Sequence, residues 1–453
     1  MSALAIRSRR IVLPDAVVAG TVIVGEQGKV TEITTAPSVA VDEQIDCGDL
    51  VISPGLVDCH VHVNEPGRTD WEGYRTATAA AAAGGVTSLV DMPLNCIPAT
   101  TDVDALRLKI AACESQLYVD LGFWGGVVPG NHDALAALAQ EGVLGCKAFL
   151  IDSGVEEFPA VTAADLRRAL PILKAHGLPL LAHAELDLGA EVQESDPKKY
   201  AGYLQSRPPQ WEDAAIALLI ELCRETGCHV HIVHLSAASS LSRIAAAKRA
   251  GLPLSVETCP HYLCLQAEDI PDGATLFKCA PPIRGRNNRD ALWQGLLRGS
   301  IDFVVTDHSP CTPVLKAHER GHFHEAWGGI ASLQLGLPLL WTEAQPRGVS
   351  LQQLARWTSE RPAGFAGLGH LKGRIAPGYD ADLVVWNPDA EWTLQADKLF
   401  FRHRSQSPYL GRKLFGQVSR TLLRGRTIFE AGRHSGEPAG RVLLGRAADT
   451  AVG

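Results

Sequence analysis

Two rhythms of apolar and polar positions run along the chain. Short β-rich runs dominate the first fifty residues, at 11–13, 22–24 and 30–33, and Pro and Gly turns separate them. The end of the chain has the same texture, at 382–386 and 420–423, with no long helical period in between. This likeness predicts one small β-domain assembled from both chain ends. Between them, β-rich runs alternate with Ala-rich or amphipathic helical stretches such as 163–176 and 237–250. The candidate strands are 56–63, 87–92, 119–128, 145–150, 179–183, 229–235, 254–259 and 301–306.

Eight βα units in sequence predict a (β/α)8 TIM barrel, whose active site lies at the C-terminal ends of the strands. A doubly wound open sheet would want a Gly-rich phosphate turn after its first strand. The first strand instead carries Asp58-Cys59-His60-Val61-His62. The expected organisation is a barrel over 53–371 and a small β-sandwich domain from 1–52 and 372–453.

Composition narrows the function. A length of 453 residues suits a large barrel with a satellite domain, and 46% apolar with 20% charged residues is ordinary globular composition. The net charge of −8 is spread out, and no basic stripe is present, so neither nucleic acid nor an anionic membrane is an expected partner. The most apolar stretch, 76–90, is interrupted by Gly84-Gly85 and reads as a helix running into a strand. Eleven scattered cysteines form no CxxC pair. The apolar stretch after Arg10 is broken by Pro14, Asp15 and Gly20, unlike a secretory leader. Reduced thiols and a cytoplasmic location are therefore expected.

The chemistry sits at strand ends. His60 and His62 are two apart, so both face one side of their strand, with Asp58 behind them and Cys59 and Val61 turned to the helix layer. His183 ends the fifth strand, His234 is the later histidine of the sixth, and Asp307 follows the eighth. Four imidazoles and a carboxylate at the catalytic rim are what a divalent metal requires. Lys147 lies in the fourth strand, where a cation is costly. It either snorkels to the rim or takes up CO₂, becoming a carbamate anion able to bridge two metals.

The set Asp58, His60, His62, Lys147, His183, His234 and Asp307 resembles the ligand pattern of the amidohydrolase superfamily, in the branch of dihydroorotases, dihydropyrimidinases and allantoinases. The resemblance covers essentially the whole chain, including Glu257-Thr258-Cys259-Pro260-His261-Tyr262 and the segment from Gly373 to Asp382. The runs 62–73, 91–95, 278–284, 309–311 and 326–330 look like those of allantoinases. Dihydroorotases carry an arginine two residues after the second histidine, where this chain has Asn64. The Pro-Phe-Gly-Gly type loop of dihydropyrimidinases is also missing there.

The resemblance implies two divalent ions per subunit, zinc first among them, with manganese, cobalt and iron also suited. His60, His62 and Asp307 would hold one ion and His183 and His234 the other, bridged by carboxylated Lys147. It implies that Asp307 is general base and then acid, and that Asn95, Ser309 and the backbone near Ala280 read the ring. The implied reaction opens allantoin, a small neutral molecule, to allantoate; a hydantoinase or dihydropyrimidinase activity is the alternative. The implied assembly is a homotetramer. His261 and His308 read as core residues or as supports behind the ligands, rather than as ligands. Two features depart from the pattern: Gly285 stands where an acid is usual, and the histidine-rich run 318–324 reads as a solvated loop.

Overall fold

The computed structural model describes residues 4–35, 41, 43–189 and 196–445. All eight expected barrel strands form, somewhat trimmed at their ends. They are Leu56–Val61, Val86–Asp91, Asp120–Phe123 continued by Gly125–Gly126, Cys146–Phe149, Leu180–His183, Val230–Ile232, Leu254–Thr258 and Phe303–Val304. Every pairing between them is parallel. The third strand links two sheets: Asp120 to Phe123 pair with the second strand, and Gly125–Gly126 with the fourth.

Asp58 does much of the closing. Val61 bridges to His308, and the His62 amide donates to the His308 carbonyl at 2.8 Å. Asp58 accepts from the Thr306 amide at 3.2 Å and the Thr306 hydroxyl at 2.5 Å, joining the first and eighth strands below the histidines. Burial pushes the Asp58 carboxyl up to about 6, against the pull of these hydrogen bonds.

Helices cover the barrel. The helix Ala163–Ala175 starts at a capping box between Thr162 and Asp165. The apolar stretch noted above is the helix Tyr74–Ala83, turning into the strand Val86–Asp91. The turn needs its glycines: a Cβ at Gly84 would lie 2.8 Å from Gln334 Cα, and one at Gly85, where φ is +83°, 2.6 Å from a Val384 methyl. Among the described residues no helix is long and apolar enough to cross a membrane.

Both chain ends build a nine-stranded sheet. Leu4–Val12 pairs with Val17–Val24, Glu43–Asp46 and Val51–Pro54. Val51–Pro54 pairs antiparallel with Leu383–Thr393, which continues to Lys413–Leu423 and Arg426–Glu430. Ile6, Ile11, Val22, Ile52, Leu383 and Leu422 close into a second core, separate from that of the barrel. The result is a barrel with a β-sandwich domain drawn from both ends of the chain. Val442–Leu443 then returns to the barrel and pairs in parallel with Leu121 and Gly122.

The two units are fastened at the face of the barrel away from the strand C-termini. Lys372, 2% exposed, donates to Asp120 and Asp382 at 2.6 Å each and lies 3.0 Å from Asp380. Arg424 also pairs with Asp120, at 2.5 Å. Burial opposes the Lys372 charge, but the three carboxylates outweigh it and hold its pKa above the usual lysine value. Removing one partner of such a buried network leaves the others uncompensated. Lys372→Met is expected to lower unfolding stability by about 3–5 kcal/mol in urea denaturation. A loss under about 1 kcal/mol would show that the network does not fasten the two units.

Candidate active site

The C-terminal ends of the strands surround a cavity of about 570 Å³. His60, His62, Lys147, His183, His234 and Asp307 all line it, as do Asn95, Ala280 and Ser309. The sequence-predicted residues thus meet in one place, from strands and loops far apart in the chain.

The nitrogens converge in pairs. His60 Nε2 and His62 Nε2 lie 3.2 and 3.5 Å from the same Asp307 oxygen. His183 Nδ1 lies 3.0 Å from His234 Nε2. Outer hydrogen bonds turn the rings inward: His60 Nδ1 meets Glu257, His62 Nδ1 lies 3.2 Å from the Asn95 amide, and His183 Nε2 lies 2.7 Å from Glu185. His234 Nδ1 is buried without a partner. Carboxylates on the outer nitrogens fix the tautomer that leaves an inward lone pair. His60, His62 and Asp307 place one atom each within 4.8 Å of one another, a set able to hold a metal ion.

Backbone strain concentrates here. Asn64, Asn95, His234 and Asp307 adopt φ of 68°, 65°, 38° and 44°, in the left-handed region that side chains rarely take. His234 and Asp307 are redirected by this turn just past their strands, which is how they reach the cavity. The Asn64 side chain, by contrast, donates to the Pro310 carbonyl at 3.3 Å and is not part of the wall.

Charge follows the geometry. Burial works against the charged form of every group in this cluster. In Asp307 the neighbouring His60 wins, and the carboxyl lies well below its usual range. Asp307 and Glu257 in turn raise His60 to about 9 despite its burial. Burial lowers His62 and His183, and takes His234 well below the usual imidazole value. Lys147, 1% exposed, is brought down to about 8 by burial, against the pull of Glu257 and Asp307.

Three supporting residues were not among the sequence-predicted ones. Glu257 accepts from His231 at 3.0 Å as well as meeting His60, and its other neighbour is the His234 amide at 3.3 Å. Glu185 joins His183 to Arg207, which grips it through Nη2 at 2.5 Å and Nε at 3.1 Å. The signal for both acids was their place on a buried barrel strand or two residues past one, where a lone carboxylate needs a partner. His308 is structural: it pairs with Glu72 at 3.1 Å and accepts from the Ser332 amide. His261 is buried with neither ring nitrogen bonded, and together with Cys259 and Asp307 it forms a second close group of possible ligands.

Two departures resolve. The acid missing at Gly285 is replaced from elsewhere: Glu268 accepts from the Arg286 amide at 3.1 Å, at the start of the helix Arg286–Leu297. The run 318–324 is only partly a solvated loop. His318, Glu319 and Arg320 are exposed, whereas Phe323 is fully buried and His324 lines the cavity. The correction has a simple cause: Phe323 packs against Tyr200, ring centroids 5.2 Å apart, and draws the run inward.

The signature of the Amidohydrolase family spans residues 51–428. The chain is 44% identical to an allantoinase of Arabidopsis thaliana, covering 97% of this chain and 90% of that protein. It is 46% identical to an "Allantoinase, mitochondrial" of Aquarana catesbeiana, covering 92% and 86%. Among solved structures, the L-hydantoinase (dihydropyrimidinase) of Arthrobacter aurescens superposes with a TM-score of 0.91 at 28% identity, covering 98% of this chain and 100% of that one.

Loss of an outer hydrogen bond should register on metal affinity. Glu257→Gln keeps the shape but cannot hold His60 and His231 as a carboxylate does. It is expected to weaken Zn²⁺ binding by about 10–100-fold in calorimetric titration of metal-free protein, with the circular dichroism spectrum unchanged. Affinity within about twofold of the parent would mean that Glu257 does not orient the cluster.

Proposed function

The chain belongs to the amidohydrolase family, and from that premise we propose that it hydrolyses the cyclic amide of allantoin to allantoate. The observation that carries the reading is the cavity itself. Four histidines, Asp307 and Lys147 share it with the segments 278–280 and 326–329. Those segments pack edge to edge: the Gly329 amide donates to the Lys278 carbonyl at 2.8 Å, and the Ser309 amide to the Ile330 carbonyl at 3.1 Å. The allantoinase names of relatives at 44% and 46% identity support the choice of ring.

The donor set fits two divalent ions. Two imidazole nitrogens 3.0 Å apart, one of them on a ring whose other nitrogen faces Glu185, suit a cation between them. His60, His62 and Asp307 would hold one ion, and His183 and His234 the other. Such ions, zinc in this reading, supply a water of lowered pKa and polarise the amide carbonyl. Lys147 completes the set once its neutral amine adds to CO₂. An N–C bond forms and one proton leaves, so the neutral amine becomes a carbamate anion; counted from the ammonium form, two protons leave in all.

The protein's own groups then handle position and proton. Asp307 takes the proton from the attacking water and delivers it to the ring nitrogen as the C–N bond breaks. Asn95 acts through His62: with its amide turned, the unpartnered Oδ1 accepts the His62 Nδ1–H and keeps Nε2 facing inward. Ser309 and the backbone at Ala280 face the ring.

The eleven free thiols support a reducing compartment, taken here as the cytoplasm. The homotetramer rests on family resemblance.

Two measurements test the reading. Asp307→Asn should lower kcat by about 10²–10⁴-fold, and a loss below about tenfold would assign the proton elsewhere. With metal-loaded protein, kcat/KM for allantoin should exceed that for hydantoin and dihydrouracil by at least about tenfold, the worth of one or two hydrogen bonds to the ureido arm. Faster opening of hydantoin or dihydrouracil would favour the hydantoinase reading, to which the structural likeness to the Arthrobacter enzyme also points.

A further inference from the structure

Two ammonium groups are buried beside the cavity with no counter-ion among the described residues. Lys278 Nζ donates to the Ala326 carbonyl at 2.6 Å and the His324 carbonyl at 3.3 Å, and lies 4.9 Å from the centre of the Tyr203 ring. Lys316, 3% exposed, donates to the Trp327 carbonyl at 3.1 Å and to the Gly329 carbonyl. Among the described residues, no carboxylate oxygen comes within 4.0 Å of either nitrogen. Asp152, Asp187 and Glu325 also line the cavity, but none pairs with these lysines, and Glu325 pairs instead with Arg320 and His322.

Carbonyl dipoles satisfy N–H groups but supply no net charge. Burying two ammonium groups on carbonyls alone is therefore costly, and it leaves positive potential in a low-dielectric wall. Burial brings Lys278 down to about 8, and the Lys316 and Arg207 cations push in the same direction. An ammonium has three N–H donors. Lys278 directs two at the carbonyls, and it lines the cavity.

Ring opening changes the charge of the ligand. Water oxygen bonds to the amide carbon, the C–N bond breaks with a proton going to nitrogen, and the new acid ionises. A neutral ring becomes a carboxylate. We propose that Lys278 forms an anion subsite for the carboxylate released by ring opening, with Lys316 positioning it through the strap 324–329. The subsite rests on the ring-opening reading above, and it makes the ureido-acid product a stronger ligand than the ring it comes from.

The test compares hydantoin with its ring-opened form, N-carbamoylglycine, and with the neutral N-carbamoylglycinamide. Binding to the metal-loaded protein is measured by calorimetry for the parent, Lys278→Met and Lys278→Arg. The parent should bind the acid at least about tenfold more tightly than the amide. Lys278→Met should weaken the acid by about 10–100-fold and hydantoin by less than about threefold, whereas Lys278→Arg should keep the acid within about fivefold. Equal binding of acid and amide by the parent overturns the proposal even if Lys278→Met fails to fold. A preference for the acid that survives in Lys278→Met also overturns it, since the metals alone would then explain the contrast. The readout is binding, so failure to turn over allantoin would contradict the substrate reading and leave this contrast standing.

Discussion

Two imidazole nitrogens cannot both present lone pairs to each other at 3.0 Å unless a cation lies between them or one carries a proton. That is the situation of His183 Nδ1 and His234 Nε2. The carboxylate of Glu185, facing the other nitrogen of His183, decides where the proton goes. Glu257 makes the same choice for His60. For His60 and His183 the site is thus built from outside inward: a buried acid faces the outer nitrogen, and a proton held there leaves the inner nitrogen to face the cavity. Arg207 steadies Glu185, and Arg284 steadies Glu212, whose carboxylate accepts from the amides of Ser236 and Ala237 just beyond His234.

The barrel makes that arrangement rigid. Asp58 and Thr306 lock the first strand to the eighth directly beneath His60 and Asp307. Past the ends of the ladders, the chain turns sharply into the left-handed region at Asn64, Asn95, His234 and Asp307. Strain of this kind persists only when the surroundings over-determine it. Here the surroundings include the buried pair of Lys109 and Asp91 at 2.7 Å, with Asp91 also accepting from the Val63 amide. Stability is anchored at the opposite face, by Lys372 and its carboxylates, so the two ends of the barrel serve separate purposes.

The fold was legible in the sequence because its signals are local. Period-two patterning placed His60 and His62 on one face, and apolar runs ending in His183, His234 and Asp307 marked the catalytic rim. The outer hydrogen bonds were not legible, because they join residues whose partners are set by barrel closure. Nothing in the pattern around Glu257 says that it meets His60, nearly two hundred positions away. The same applies to Glu268 standing in at Gly285, and to Phe323 pulling a polar, histidine-rich run towards the cavity. Asn64 shows the converse. It stands where dihydroorotases carry an arginine, yet its amide donates to the Pro310 carbonyl and it is not part of the cavity wall.

The central claim is that these inward-facing groups, with carboxylated Lys147, hold a pair of metal ions. The most direct measurement is a crystal structure of protein prepared with Zn²⁺ and bicarbonate, with anomalous data collected on both sides of the zinc edge. The account predicts two anomalous peaks, one against His60, His62 and Asp307 and one against His183 and His234, with added density for a carboxyl group on Lys147 between them. A single peak, or two peaks beside an unmodified Lys147, would contradict it.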